Sequence, residues 1–318
     1  MKNRHKKKQM KYVSLLGSIF LLVTILTSCS SPQTPPAQDG QITVAATFYP
    51  LYDLTKSIVG DTGTVYSIVP SGVEPHDYEP NPSDLQKLSY ADAFITMGIG
   101  FAEFEEDLEK VNPKAKVIPA SRGISLLKGE DDEHEGEQER RDEKELAGND
   151  PHIWLSPKNA QKMALNIMTG LVEADSINSE HYLKNGQETM EALKALDTEF
   201  KEGLSSCNKD TILVNHNAFA YLARDYGFDV IAITGLEPEV EPTPQQLVEL
   251  IEQAKEHDMK YVFYEELVDP RIARTIAQEV GAEIIELNPL EGSSDPSATY
   301  VSLMRKDLQA LQLALECS

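Results

Sequence analysis

The 318 residues carry 29 Lys and Arg against 52 Asp and Glu, a formal charge of −23. That excess of acid excludes a nucleic-acid-binding role, because phosphate backbones are held by basic surfaces, and it leaves room for cation handling. With 41% hydrophobic and 25% charged residues, the composition fits a globular chain of about two domains and excludes a polytopic membrane protein.

Residues 1–11 hold six bases and no acid, and the apolar run 12–26 ends in Leu26-Thr27-Ser28-Cys29. A basic head, a short apolar core and small residues before a cut describe a secretory signal over 1–28, too short for a comfortable membrane span. Cys29 follows Leu-x-Ser as in a bacterial lipobox, so it is expected to be acylated and to tether the chain to the membrane. Residues 29–40, rich in Ser, Pro and Gln, read as a flexible linker. An even pair of cysteines then remains, Cys207 and Cys317, which in an exported chain points to a disulfide. Two separate thiols stay open on the sequence alone.

From residue 41 onward, short β-rich runs alternate with amphipathic stretches. Strands are expected at 42–47, 64–69, 93–97 and 116–119. Helices are expected at 50–59, with Pro at its first turn, and at 81–88, with Asn81 as cap and Pro82 following. After a long helical block at 157–172 and 180–204, the alternation resumes. Strands fall at 211–214, 229–233, 261–264 and 283–287, and helices at 218–226, 244–256, 270–280 and 298–315. This is an α/β pattern, with a parallel sheet flanked by helices in each half.

The stretch 180–204 contains no proline, and Tyr182, Leu183, Met190, Leu193, Leu196, Phe200 and Leu204 recur at three- and four-residue steps. At about 37 Å it reads as a rigid rod between two lobes. The expected organisation is an N-terminal lobe at 41–176, a linking helix at 177–206 and a C-terminal lobe at 207–318. Within the first lobe, residues 129–150 hold eleven acids and three bases. Such a run cannot build a core, so 129–149 is expected to be a surface loop, with His134 as a transient cation ligand at most.

Four segments carry chemistry: Glu74-Pro75-His76-Asp77-Tyr78-Glu79-Pro80, Asp150-Pro151-His152-Ile153-Trp154, Asn215-His216-Asn217, and Asn288-Pro289-Leu290-Glu291. At least three of them follow an expected strand, and ligands in parallel α/β sheets bind beyond the strands' carboxyl ends. His76, His152, His216 and Glu291 would make a tetrahedral shell of three imidazoles and one carboxylate, suited to Zn²⁺. Glu265 and Glu266, which follow another strand, compete with Glu291. Trp154 is expected to pack beside His152. The other histidines lie in the signal (His5), in the acidic loop (His134) or on helix faces (His181, His257).

Taken together, these segments resemble the zinc/manganese solute-binding lipoproteins of bacterial ABC importers, over nearly all of 41–316. The resemblance implies two β/α lobes joined by a rigid helix, with one metal in the cleft between them. His76 and His152 would come from one lobe, His216 and Glu291 from the other. It further implies an extracytoplasmic, membrane-tethered monomer that delivers its ion to a membrane permease. Relatives of manganese type tend to carry a carboxylate in place of His216, so Zn²⁺ is expected here. Mn²⁺ binding and a surface-adhesin role are the alternatives. Two features depart from the pattern: the loop before His152 is acidic where zinc-type relatives are often His-rich, and Ser156 stands where Asp is frequent. A zinc hydrolase is the rival class, but no His-Glu-x-x-His, Gly-x-Ser-x-Gly or glycine-rich phosphate loop occurs. A non-enzymatic carrier is expected.

Overall fold

The computed structural model describes residues 41–76, 78–129, 148–238 and 240–318. The signal, Cys29, the linker to residue 40, Asp77 and most of the acidic loop with His134 lie outside the described residues.

Strands β1 (Ile42–Ala46), β2 (Gly63–Ser67), β3 (Ala93–Thr96) and β4 (Lys116–Pro119) form one parallel sheet in the order β2-β1-β3-β4. Val44 of β1 lies between Val65 of β2 and Ala93 of β3. Every residue of β3 is buried, as a parallel strand covered on both faces requires, which explains its continuous apolar run. Helix α1 (Tyr49–Val59) starts with proline in its first turn, and α2 (Pro82–Leu88) has a capping box between Asn81 and Asp84. A 3₁₀ turn at Glu103–Asp107 and the single-turn α3 (Leu108–Val111) were not expected. Both are too short to show a helical period.

Two long helices follow, α4 (Pro157–Ala174) and α5 (Ser179–Gly203), the latter of 25 residues. They pack against each other, and α5 also touches α1. Their approach is close at Gly186, where a Cβ would stand 2.6 Å from the Met168 side chain. Tyr182, Leu193, Leu196 and Phe200 face inward as expected, but Leu183 is 49% exposed. Adjacent residues on a helix point about 100° apart, and the stripe takes Tyr182 instead.

In the C-terminal half, β5 (Thr211–His216) pairs in parallel with β6 (Asp229–Thr234), and β7 (Tyr261–Tyr264) with β8 (Glu283–Glu286). Strand β5 lies beside β7 without a hydrogen-bonded ladder between them. Four helices accompany the strands: α6 (Ala220–Tyr226), α7 (Pro244–Glu256), α8 (Arg271–Val280) and α9 (Tyr300–Ala314). Gly227 and Gly281 end α6 and α8 at φ 81° and 73°, a region open to glycine at no steric cost. Helix α9 packs back on α5 and α1. One continuous core runs from Phe48 and Trp154 through Leu196 and Phe200 to Tyr300 and Leu311, spanning both halves.

Cys207 and Cys317 form a disulfide. Beside it, the Ser318 amide donates to the Ser206 carbonyl at 3.0 Å. The bond ties the end of α9 to the start of the C-terminal half, across a sequence separation of 110. On the chain-entropy account, a loop of that size is worth about 4–5 kcal/mol.

Candidate metal centre

His76 sits beyond the carboxyl end of β2. The chain there still follows β1, through Ile68 N to Ala46 O and Val69 N to Thr47 O, before it turns away. The His76 amide donates to Glu74 Oε1 at 3.1 Å, and its ring meets Phe101 edge-on at 4.9 Å. His152 heads the 3₁₀ turn Ile153–Leu155 that leads into α4. It donates both its amide and its ring Nδ1–H to Asp150 Oδ1, at 2.9 and 2.8 Å. Trp154 packs 5.1 Å from that ring and donates its indole N–H to Pro289 O at 2.7 Å. The expected structural partnership is thus present, and it reaches into the other half of the chain.

His216 is the last residue of β5, two positions beyond the strand end expected from sequence, because it still pairs with Thr234 of β6. Its amide and Nδ1–H both go to Glu265 Oε1, at 3.2 and 2.7 Å. Glu265 therefore backs His216 and does not compete with Glu291 for the inner face. Glu266 faces elsewhere and accepts from Asn288 Nδ2 at 3.3 Å. Glu291 is delivered by a tight turn after β8. The Asn288 side chain accepts from Leu290 N at 2.7 Å, and the Asn288 amide donates to Asp307 Oδ1 at 2.9 Å. Leu290 is held at φ 57° although fully buried. A left-handed non-glycine costs about 1–2 kcal/mol, and such strain concentrates at functional sites.

The four side chains converge, their donor atoms all within 4.8 Å of one another. Glu291 Oε1 lies 3.2 Å from His76 Nε2 and 3.4 Å from both His152 Nε2 and His216 Nε2. The last two nitrogens face each other at 3.2 Å. With each Nδ1–H donated to a carboxylate, both Nε2 atoms present lone pairs, so a proton or a cation must lie between them. His152, His216 and Glu291 are buried, with at most 2% exposure. Burial opposes charge on His216, but Glu265 and Glu291 outweigh it and hold its pKa well above the usual value. Burial likewise opposes charge on His152, whose pKa is raised by its hydrogen bonds to Asp150 and Glu291. Burial alone would raise the pKa of Glu291, yet the histidines hold it well below the ordinary carboxylate range. A cation entering the cluster therefore displaces protons. Beside it, burial and the charge of Glu291 push Glu74 up to about 8.

No hydrogen bond joins Ser156 to His152 among the described residues. It caps α4 through Asn159 N and donates to Asp225 across the halves. His181 and His257 are exposed.

A parallel α/β fold spanned by a long helix, with four converging donors drawn from both halves and three of them buried, defines a solute-binding protein of the metal-ion type. The chain belongs to the family of the zinc-uptake complex component A, periplasmic (ZnuA), which matches residues 44–314. It is 36% identical to the high-affinity zinc uptake system protein ZnuA of Bacillus subtilis (strain 168), over 95% of this chain and 96% of that one. The Zn(II)-bound ZnuA-like domain of Streptococcus pneumoniae AdcA has a TM-score of 0.73 at 33% identity, covering 87% of this chain and 100% of the domain. The whole zinc-binding lipoprotein AdcA is longer, and this chain spans 61% of it at 35% identity. The laminin binding protein of Streptococcus agalactiae, a bifunctional protein with adhesin and metal transporting activity, has a TM-score of 0.77 at 29% identity, over 86% of this chain and 99% of that one.

Proposed function

We propose that the protein captures Zn²⁺ outside the cytoplasm and passes it to the permease of an ABC importer, with His76, His152, His216 and Glu291 as the ligands. The observation that carries this reading is the spacing of the donors. A regular tetrahedron has edges about 1.63 times its bond length, so zinc bonds of about 2.0–2.1 Å need edges of about 3.3–3.4 Å. Four of the six donor pairs stand at 3.2–3.4 Å. Three imidazoles suit zinc better than manganese, which favours oxygen. Four protein donors leave no open position for a substrate, so the site is that of a carrier and not of a hydrolase. Nothing in this site carries an adhesin role. Lipid attachment at Cys29, and a division into lobes at 41–176 and 207–318 about the 177–206 link, belong to the same proposal.

The test is calorimetric titration of zinc and manganese into the purified chain and three variants. His216→Glu exchanges a nitrogen for a hard oxygen at the same coordination number. Zinc affinity is expected to fall on the order of 10-fold or more, and relative preference for manganese to rise. His181→Glu and His257→Glu, both at exposed positions, should leave binding unchanged. Wild-type zinc affinity in His216→Glu would remove the proposed site.

A further inference from the structure

Three carboxylates outside the donor cage share one arrangement. Glu74, Asp150 and Glu265 each take the backbone N–H of a histidine on one oxygen, at 3.1, 2.9 and 3.2 Å. The other oxygen of each, Glu74 Oε2, Asp150 Oδ2 and Glu265 Oε2, is buried without a hydrogen-bond partner among the described residues. Burying a half-satisfied carboxylate costs stability. A fold optimised only for stability would not repeat it three times around one cluster.

Asp150 and Glu265 do more than Glu74. Asp150 Oδ1 also accepts the Nδ1–H of His152 at 2.8 Å, and Glu265 Oε1 the Nδ1–H of His216 at 2.7 Å. One oxygen thus grips a histidine at two points, its main chain and its ring. Two grips set the ring's direction, and donation from Nδ1 leaves Nε2 as the free lone pair. The carboxylates come from different places. Asp150 is two residues before its histidine, whereas Glu265 follows β7 and reaches His216 at the end of the neighbouring strand β5.

We infer that Asp150 and Glu265 are positioning residues, each fixing the tautomer and direction of one histidine so that Nε2 alone is offered to the ion. This rests on the zinc reading above and deepens it. The buried negative charge also makes each imidazole a stronger donor, favouring a borderline ion over a hard one. Among the described residues, the carboxylate behind His76 meets its main chain and Glu291 alone meets its ring, so the inference is confined to the other two histidines.

The experiment uses the full chain, with zinc affinity measured by competition against a chromophoric chelator and coordination by the visible absorption of bound Co²⁺. The variants are Glu265→Ala, Glu265→Gln and Asp150→Asn. Glu105→Gln serves as control, since that carboxylate is held by Thr47 and by the amides of Met97 and Gly98, none of them a proposed ligand. Zinc affinity should fall about 10- to 100-fold in Glu265→Ala. The loss should be smaller in Glu265→Gln, whose amide oxygen still accepts from Nδ1–H, and absent in the control. Bound Co²⁺ should lose part of its intense four-coordinate absorption in Glu265→Ala, because a released ring lets water in. Asp150→Asn should follow Glu265→Gln if it folds, and the two Glu265 variants decide the matter if it does not. Glu265→Ala within threefold of wild-type affinity would overturn the inference. So would equal losses in Ala and Gln variants that keep the wild-type Co²⁺ spectrum, which would mark a purely structural residue. Failure of the wild type itself to bind zinc would sink the underlying reading instead.

Discussion

Two loops bring the histidines of the N-terminal half to the cluster, and they are held differently. The loop carrying His152 is fastened to the other half along its length. Tyr221 OH donates to Asp150 O at 2.7 Å, Trp154 Nε1 to Pro289 O at 2.7 Å, and Tyr300 OH to Trp154 O at 2.6 Å. The loop carrying His76 is bonded mainly to itself, Val73 N to Pro70 O at 3.2 Å and Tyr78 N to Pro75 O at 3.4 Å, and residues 71–73 are exposed. Among the described residues, it reaches the other half through the 3.2 Å contact of His76 Nε2 with Glu291 and at Gly292, where a Cβ would stand 3.5 Å from Gly72 N. The fold therefore places His152 whether or not an ion is bound. His76 is held by Glu74 and the Phe101 ring of its own half, and across the halves by the cluster it joins.

The strongest way to break this contrast is Trp154→Ala. The indole is fully buried between Phe48 at 4.8 Å and Phe101 at 5.1 Å, and its N–H crosses to Pro289. Removing it should cost about 3–5 kcal/mol of unfolding free energy, read by denaturant titration of metal-free protein. A loss below about 1 kcal/mol would mean that the His152 loop is not fastened as described.

His76→Ala is the opposite case. Its ring is one-tenth exposed, and the metal-free protein should lose no more than about 1 kcal/mol. What should change is the rise in melting temperature on adding zinc, since a bound ligand stabilises in proportion to the logarithm of its affinity. A 10-fold weaker site forfeits about 1.4 kcal/mol of that gain. Melting curves with and without zinc check both parts, and an undiminished zinc shift would show that His76 is no ligand.

Much of this arrangement could be read along the chain, and the rest fails for physical reasons. The strands at 116–119 and 261–264 and the helix at 244–256 fall where the alternation of apolar and amphipathic runs places them, and Thr243 caps that helix. His76 and His216 stood out because they follow strands, and His152 because it follows Pro151 at the start of a helix. No role was read for Asp150 from the sequence, although a signal was present, since an Asp two residues before an amide it can accept from is an ordinary Asx turn. Glu265 was not. It lies 49 residues from His216, and only the side-by-side placement of β7 and β5 brings them together. The same holds for Trp154, whose bond partner Pro289 is 135 residues away. Pattern reads neighbours along an element, and the supports of this site cross between elements.

The smallest effect tests how the turn carrying Glu291 is held. Glu291 hangs on the turn whose Asn288 amide is held by Asp307, a 3% exposed acid whose Oδ2 has no hydrogen-bond partner among the described residues. Burial raises the pKa of Asp307 well above that of a free carboxylate. Both folded and unfolded forms are protonated below the ordinary carboxylate range, so the stability tied to this proton is complete there. As pH rises, the unfolded chain ionises first and the folded one resists, so that stability is lost until the folded pKa is passed. Asp307→Asn keeps an oxygen for the Asn288 amide and cannot titrate. Between pH 4 and 8, the melting temperature of metal-free wild type should therefore fall relative to the variant, by on the order of a few degrees. Glu74, pushed up to about 8, drives the same trend in both proteins and cancels in the difference. Parallel curves over that range would show that Asp307 is ionised in the fold, and that the turn carrying Glu291 is held by a charged hydrogen bond.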